Sequence, residues 1–154
     1  MNAVRLLVDV MCGRLVPYLR MCGHDTIYAG DRGLEADDEV LAVAAAKDRT
    51  VLTRDTALAD RTAESVLLES RDVNGQLAAV AAAGIDLTLP DEPVRCGRCN
   101  GRLEAVEPEA STPGYAPAAD EKRCWRCRDC GQYFWRGSHW DRVHETLAPI
   151  ESGT

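Results

Sequence analysis

Five of the seven cysteines in this 154-residue chain crowd between residues 96 and 130, at two-residue gaps: Cys96 and Cys99, then Cys124, Cys127 and Cys130. A Cys-x-x-Cys pair on a tight turn aims both sulfurs at one point, and two such pairs close a tetrahedral four-cysteine site that suits Zn2+. Cys96 and Cys99 form the first pair. The second is assigned to Cys127 and Cys130, because Gly131 follows directly and a small residue there lets the turn close. Cys124 is then spare or a substitute ligand. Four thiolates leave no open position for water, so the expected ion is structural. The odd count, with no leader segment to suggest secretion, argues for reduced thiols rather than a disulfide framework.

A second set of residues suggests different chemistry. Two short apolar runs, "RLLVD" and "VLTRD", each end in an acid, Asp9 and Asp55, and Asp37 opens a third segment between them. In an open α/β sheet ligands bind beyond the carboxyl ends of the strands. Each acid alone is adequately explained as a helix cap. Together, three carboxylates at one rim repel unless a cation lies between them, and Mg2+ or Mn2+ suits a few carboxylates plus water and substrate phosphate. Asp38 and Glu35 are close enough in sequence to add a ligand or to support one. Arg14, Arg20 and Arg54 lie near the same rim in sequence, where an ion pair with the carboxylates is one role open to them, above all to Arg54 beside Asp55.

These residues need elements to hold them. "AVRLLVDV" reads as a buried strand, and "MCGRLVPYLRMCG" as a helix that starts late, near Arg14, so that Pro17 falls in its first turn and Gly23 closes it. "HDTIYA" is a strand, and "DDEVLAVAAAKD" a helix with an apolar face at 40, 41, 44 and 45 and Asp37 or Asp38 as N-cap. "TVLTRD" (strand), "TALADRTA" (helix), "ESVLLES" (strand) and "DVNGQLAAVAAAG" (helix) continue the alternation. Strands alternating with helices predict a mainly parallel sheet with flanking helices. The apolar periodicity stops at "LPDEPV", which places one domain at 1–90 and a second at 91–154.

In the second domain each knuckle leads into a strand, "PEASTPGYAPAADE" is a loop, and "SHWDRVHETLA" is a helix with Ser138 and Asp141 in capping-box positions. Tyr133, Phe134, Trp135 and Trp140 are interleaved with Arg126, Arg128, Arg136 and Arg142, a pattern that suits single-stranded nucleic acid. Burial as scarce core is the competing account, above all for Trp135. Arg136 and Trp140 are the nucleic-acid-contacting pair expected here. His139 and His144, five apart, are a poor pair for one ion.

Composition limits the partners. The net charge is −7, with nine Lys/Arg against sixteen Asp/Glu in residues 1–93 and nine of each thereafter. Acidity disfavours nucleic acid in general, but sixteen Arg against two Lys with many Ala fits a salt-adapted or GC-rich host, where surface acidity says little. No apolar run is long enough to span a membrane, and a cytoplasmic address is expected.

The segments "LLVDVMCGRLVPYLRMCGHDT" and "DDEVLAVAAAKDRTVLTRD", followed by C-x-x-C…C-x-x-C-G-x-x-x-W-x-G-S-H-W, resemble in order the Mut-seven C-terminal RNase family. That resemblance covers nearly the whole chain. It implies a PIN-like nuclease domain followed by a four-cysteine zinc ribbon, with Asp9, Asp37 and Asp55 as catalytic acids holding Mg2+ or Mn2+, Arg14, Arg20 and Arg54 binding the scissile or flanking phosphates, and RNA as substrate, single-stranded on the aromatic and arginine pattern of the ribbon. The interval of eighteen from Asp37 to Asp55 resembles the acid pair of PIN nucleases, in which an Asp opens a helix and the next strand ends in Thr-x-Asp. One departure is visible: many PIN nucleases carry a further Glu on a helix between the first and middle acids, where this chain has only Asp25, Asp31 and Glu35 in strand and loop. A non-catalytic RNA- or protein-binding adaptor, with the ribbon carrying the function, is the alternative.

Overall fold

The computed structural model describes residues 3–152, with side chains through Ile150. Its first strand, β1 (Arg5–Val8), has Leu6, Leu7 and Val8 fully buried, as a central strand covered on both faces must be. A 3-10 turn over Val10–Leu15 follows, then α1 (Val16–Met21), whose first turn holds Pro17. The helix therefore starts two residues later than the expected Arg14, and Gly23 follows it with φ +93°. Next come β2 (Asp25–Tyr28), α2 (Asp37–Ala46), β3 (Thr50–Thr53), α3 (Thr56–Asp60), β4 (Ser65–Leu67) and α4 (Val73–Ala82). The strands form one wholly parallel sheet in the order β2-β1-β3-β4.

Because strand side chains alternate, the sheet builds two cores. Leu6, Val8 and Leu52 face one side, against Leu15 at the end of the 3-10 turn, Leu19 of α1, and Leu77 and Val80 of α4. Leu7 and Val51 face the other, against Val40 and Ala44 of α2 and Leu58 of α3. Each fully buried Leu contributes about 1.5–3 kcal/mol relative to exposure. Of the expected α2 face, Val40 and Ala44 are buried, Leu41 is half-buried and Ala45 is exposed, because the helix meets the sheet along a narrow stripe.

A second, antiparallel sheet follows: β5 (Leu103–Ala105), β6 (Trp125–Cys127) and β7 (Tyr133–Phe134). Between β5 and β6 the expected loop carries no strand or helix, but it is pinned: Tyr115 Oη accepts the Tyr133 N–H at 3.1 Å, and the Tyr115 ring meets Tyr133 edge-on. The last helix, α5 (Ser138–Ser152), returns to the first sheet, where Val143 and Leu147 join the core of Leu6 and Leu77. Asp141 N–H donates to Gly137 O at 3.1 Å, so Gly137 is the cap and Ser138 lies one residue inside it, contrary to the capping-box expectation.

The two sheets are locked together at the edge strand β2. Asn100, just past the first knuckle, accepts the Thr26 N–H on Oδ1 at 2.9 Å and donates from Nδ2 to Asp25 Oδ1 at 2.8 Å. Arg49 reaches the same carboxylate at 2.9 Å. Edge-strand hydrogen-bonding groups that would otherwise face solvent are thereby partnered by the ribbon.

Candidate active site and metal centre

Parallel strands place successive carboxyl ends at one rim. Asp9 extends β1 past Val8, its N–H bonded to Leu52 O at 3.0 Å. Its side chain caps the following turn, with Oδ1 accepting Val10 N–H at 2.8 Å, while Oδ2 accepts the Thr53 hydroxyl at 2.7 Å. The same Thr53 oxygen accepts the Asp55 N–H at 2.9 Å. One buried hydroxyl, with its single donor and two lone pairs, therefore ties the ends of β1 and β3 together and sets both acids. Asp55 in turn caps α3 through Oδ1, which accepts Ala57 N–H at 2.9 Å and Leu58 N–H at 3.4 Å. Capping is real for Asp9 and Asp55, yet each keeps acceptor capacity, since a carboxylate has about four lone-pair sites.

Asp37 is different. The cap of α2 is Ala36, not Asp37 or Asp38 as expected, and Glu39 rather than an Asp receives the Ala36 N–H, at 3.3 Å. Ala36 takes the cap because its extended backbone (ψ 142°) is where the chain turns into the helix. Asp37 opens the helix half-buried, with no hydrogen bond or ion pair to its side chain among the described residues. Asp38 is exposed and pairs with Arg61 at the end of α3. Glu35 is exposed, and the stretch where many PIN nucleases carry a helical Glu is a 3-10 turn over Ala29–Arg32. Asp9, Asp37 and Asp55 do not gather as tightly as the cysteines: among the described residues, only Cys96, Cys99, Cys127 and Cys130 form a group of three or more ligand atoms within 4.8 Å.

The expected phosphate-binding arginines separate. Arg54, between Thr53 and Asp55, makes no ion pair with Asp55 among the described residues, and its buried Nε has no hydrogen-bond acceptor. Arg14 is exposed at the end of the 3-10 turn. Arg20 is only 4% exposed and donates from Nε to Thr26 O at 3.0 Å and from Nη1 to Gly97 O at 3.1 Å. It clamps the first knuckle to the start of β2, the edge of the sheet opposite the acids, so it is not available to phosphate at the rim. Behind Asp9, burial pushes the Cys12 thiol up to about 11, helped by the Asp9 charge, so it stays protonated and unreactive at neutral pH.

The four cysteines meet as their spacing predicts. Cys96 and Cys130 sulfurs lie 3.7 Å apart and Cys99 and Cys127 sulfurs 3.5 Å apart. Tetrahedral bonds of ~2.3 Å to one Zn2+ put sulfurs about 3.8 Å apart, so the donor set and spacing fit that ion. Gly131 turns the second knuckle at φ +81°, a conformation that disfavours any residue with a Cβ. Burial would raise the Cys127 thiol, but N–H donors from Cys130 and Asp129, both 3.4 Å from its sulfur, outweigh burial and hold it near 7. Cys124 stands outside the cluster, its thiol directed at the carbonyls of Lys122 and Pro117.

On the ribbon, Arg136 is exposed and Trp140 half-buried, and both line a hollow of about 610 Å³ with Lys122, Arg123 and His144. Sequence reading gave no role to Thr53, although Thr-x-Asp was its signal, and none to Asn100 or Arg49, which carry no local signal at all. Among the described residues no helix is long and apolar enough to cross a membrane.

The family model of the Mut7-C RNAse domain matches residues 4–147, from the start of β1 through the four-cysteine ribbon and into α5. No curated protein matches the chain, and no solved structure does. The family's description is of an RNase, a nuclease-type activity at family level. With one match spanning both the acidic rim and the ribbon, the chain belongs to the Mut7-C RNAse domain family.

Proposed function

We propose that the protein is a metal-dependent ribonuclease that hydrolyses phosphodiester bonds of single-stranded RNA at the rim formed by Asp9, Asp37 and Asp55. The observation that carries this reading is the Thr53 hydroxyl, which holds Asp9 and Asp55 at adjacent strand ends beside an arginine with no salt bridge among the described residues. Asp9, Asp55 and Asp37 would hold Mg2+ or Mn2+, with Asp38 available only if it leaves Arg61. Bound there, such an ion would acidify an attacking water and stabilise charge on the phosphate oxygens. Arg54 and exposed Arg14 bind the phosphates on either side of the scissile bond, charge-assisted contacts that fix the backbone. Thr53 keeps the two acids in register while their load changes. Zn2+ in the four-cysteine site builds the ribbon, whose Arg136 and Trp140 contact the RNA. The seven thiols, free of disulfides among the described residues, suit a reducing, cytoplasmic address.

The test is cleavage of end-labelled single-stranded RNA with Mg2+ or Mn2+, wild type against Asp55→Asn. Asn is as good a cap as Asp, so α3 stays formed while the metal ligand weakens. Metal-dependent cleavage by the wild type, lost in Asp55→Asn at unchanged folding, is the expected result. Equal RNA binding by both with no cleavage by either, of structured RNA or DNA as well, returns the acids to capping and leaves a ribbon-based adaptor.

A further inference from the structure

A crevice of about 270 Å³ opens where α1 meets the ribbon, walled by Pro17 and Met21 on one side and by Phe134, Trp135 and Trp140 on the other. It lies at the junction of two subdomains and is mostly apolar with a few polar groups, as ligand sites are. Its size is just below the ~300–1,000 Å³ of drug-sized sites. Arg98 stands exposed at its edge, its guanidinium held by Gln132 Oε1 at 2.9 Å. Trp140 is shared: it also lines the neighbouring hollow, where Lys122, Arg123 and Arg136 gather with Glu121 and Asp141, and where Arg123 is paired with Glu92. One indole therefore separates an aromatic slot from a charged hollow in which Lys122 and Arg136 make no ion pair among the described residues.

We propose that this crevice is a pocket for one unpaired nucleobase of the RNA, stacked on Trp140 and Trp135, with a flanking phosphate on Lys122 and Arg136 on the other side of Trp140. The proposal rests on the ribonuclease reading for its choice of RNA. Its physical basis is the pairing of an aromatic face with a cationic track, the combination by which proteins hold single strands. Slot size selects a base over a peptide segment, and the adjoining cations select a polyanion over an apolar partner. The first domain contributes Pro17 and Met21, so the pocket is built by α1 and the ribbon together.

The three tryptophans make the test direct, because Trp125 is buried, 4% exposed, and lines neither slot. Zinc-loaded full-length protein carrying 5-fluorotryptophan is titrated, without Mg2+ or Mn2+, with a single-stranded RNA hexamer and with its abasic ribose-phosphate counterpart. The fluorine signal of Trp135 shifts with RNA and not with the abasic chain, that of Trp140 shifts further with RNA than with the abasic chain because the phosphates reach its other face, and that of Trp125 moves least. Gly97 lines the crevice, and a Cβ there meets nothing within 4 Å, so the side chain of Gly97→Leu has room to start and partly fills the slot. It weakens binding about tenfold, as loss of one stacked base should, and Trp140→Ala does so at least as much. An unchanged Trp125 signal and full zinc content certify the fold of each variant. The pocket is overturned by RNA binding that leaves Trp135 and Trp140 unmoved, by equal shifts with the abasic chain, by wild-type affinity in folded Gly97→Leu, or by no RNA binding at all. Cleavage is read separately: shifted tryptophans with no Asp55-dependent cutting sink the nuclease and keep the pocket, and the reverse pattern does the opposite.

Discussion

Replacing Thr53 by Val removes one oxygen and little else, and it isolates the bond that joins the two strand ends. Thr53 is fully buried, so no water takes over the hydroxyl's partners. The Oγ1–Oδ2 contact to Asp9, at 2.7 Å, is charge-assisted, and such bonds contribute about 1.5–3 kcal/mol. The Asp55 N–H, now without its acceptor at 2.9 Å, adds about 1 kcal/mol, since it is partly buried. The sum, about 2.5–4 kcal/mol, corresponds to a fall in Tm of roughly 5–15 °C for a chain of this length. Thr53→Ser keeps both bonds and loses one methyl, worth about 1 kcal/mol. Thermal unfolding followed by far-UV circular dichroism, with zinc present and other divalent ions omitted, ranks the three proteins. In Mg2+ the Val variant should also lose cleavage by about tenfold or more below its melting range, while Ser retains most of it. If Val melts within about 1 °C of wild type, or melts no lower than Ser, the hydroxyl carries no such load and the account of the rim is wrong.

Other consequences are open to measurement. Asn100→Ala should lower stability by about 2–3 kcal/mol in urea titration, through two lost hydrogen bonds and a residue held at φ +75°, whereas Asn100→Gly should lose only the bonds. Burial would raise the Asp25 carboxyl, but Arg49 and Asn100 outweigh burial and hold it below its ordinary 3.8. That group therefore stabilises the fold fully above about pH 4 and loses its contribution as pH falls through the depressed value; Asp25→Asn should flatten that acid limb in stability-against-pH curves and leave its shape above pH 5 unchanged. Zinc released by thiol modification and counted with a chromophoric chelator should be one ion per chain in wild type and Cys124→Ser, and far less in Cys127→Ser. Chelation should also lower the melting temperature of the parallel-sheet core, because Asn100 and the Gly97 carbonyl that receives Arg20 are positioned by the first knuckle.

Some residues declared their place by local rules. The runs around Leu7 and Leu52 are uniformly apolar because both faces of a central parallel strand are covered, and that pattern is visible without a structure. Cys127 and Cys130 were separable from Cys124 because a glycine must follow a turn of that shape, and Gly131 is there at positive φ. Asp9 and Asp55 were legible as strand-end residues because each closes a short apolar run. These are properties of a few consecutive residues, which is why they can be read before the chain is folded.

Tertiary structure decided the rest. Arg20 read as a phosphate ligand because it lies near Asp9 along the chain, but α1 carries it to the opposite edge, where two carbonyls 71 residues apart, Thr26 O and Gly97 O, enclose it. Asp37 read as a cap because Asp favours caps, yet the backbone turn falls at Ala36 and the carboxyl is left with no hydrogen-bond partner among the described residues. Thr53 had the right motif and no evident task until β1 and β3 lay side by side and its hydroxyl met an acid 44 positions away. Spacing and propensity act over one turn or one strand, whereas burial and hydrogen-bond partnership depend on which distant segments share a surface. The acids and the cysteines could be named from the chain alone; what holds them in place could be seen only after it folded.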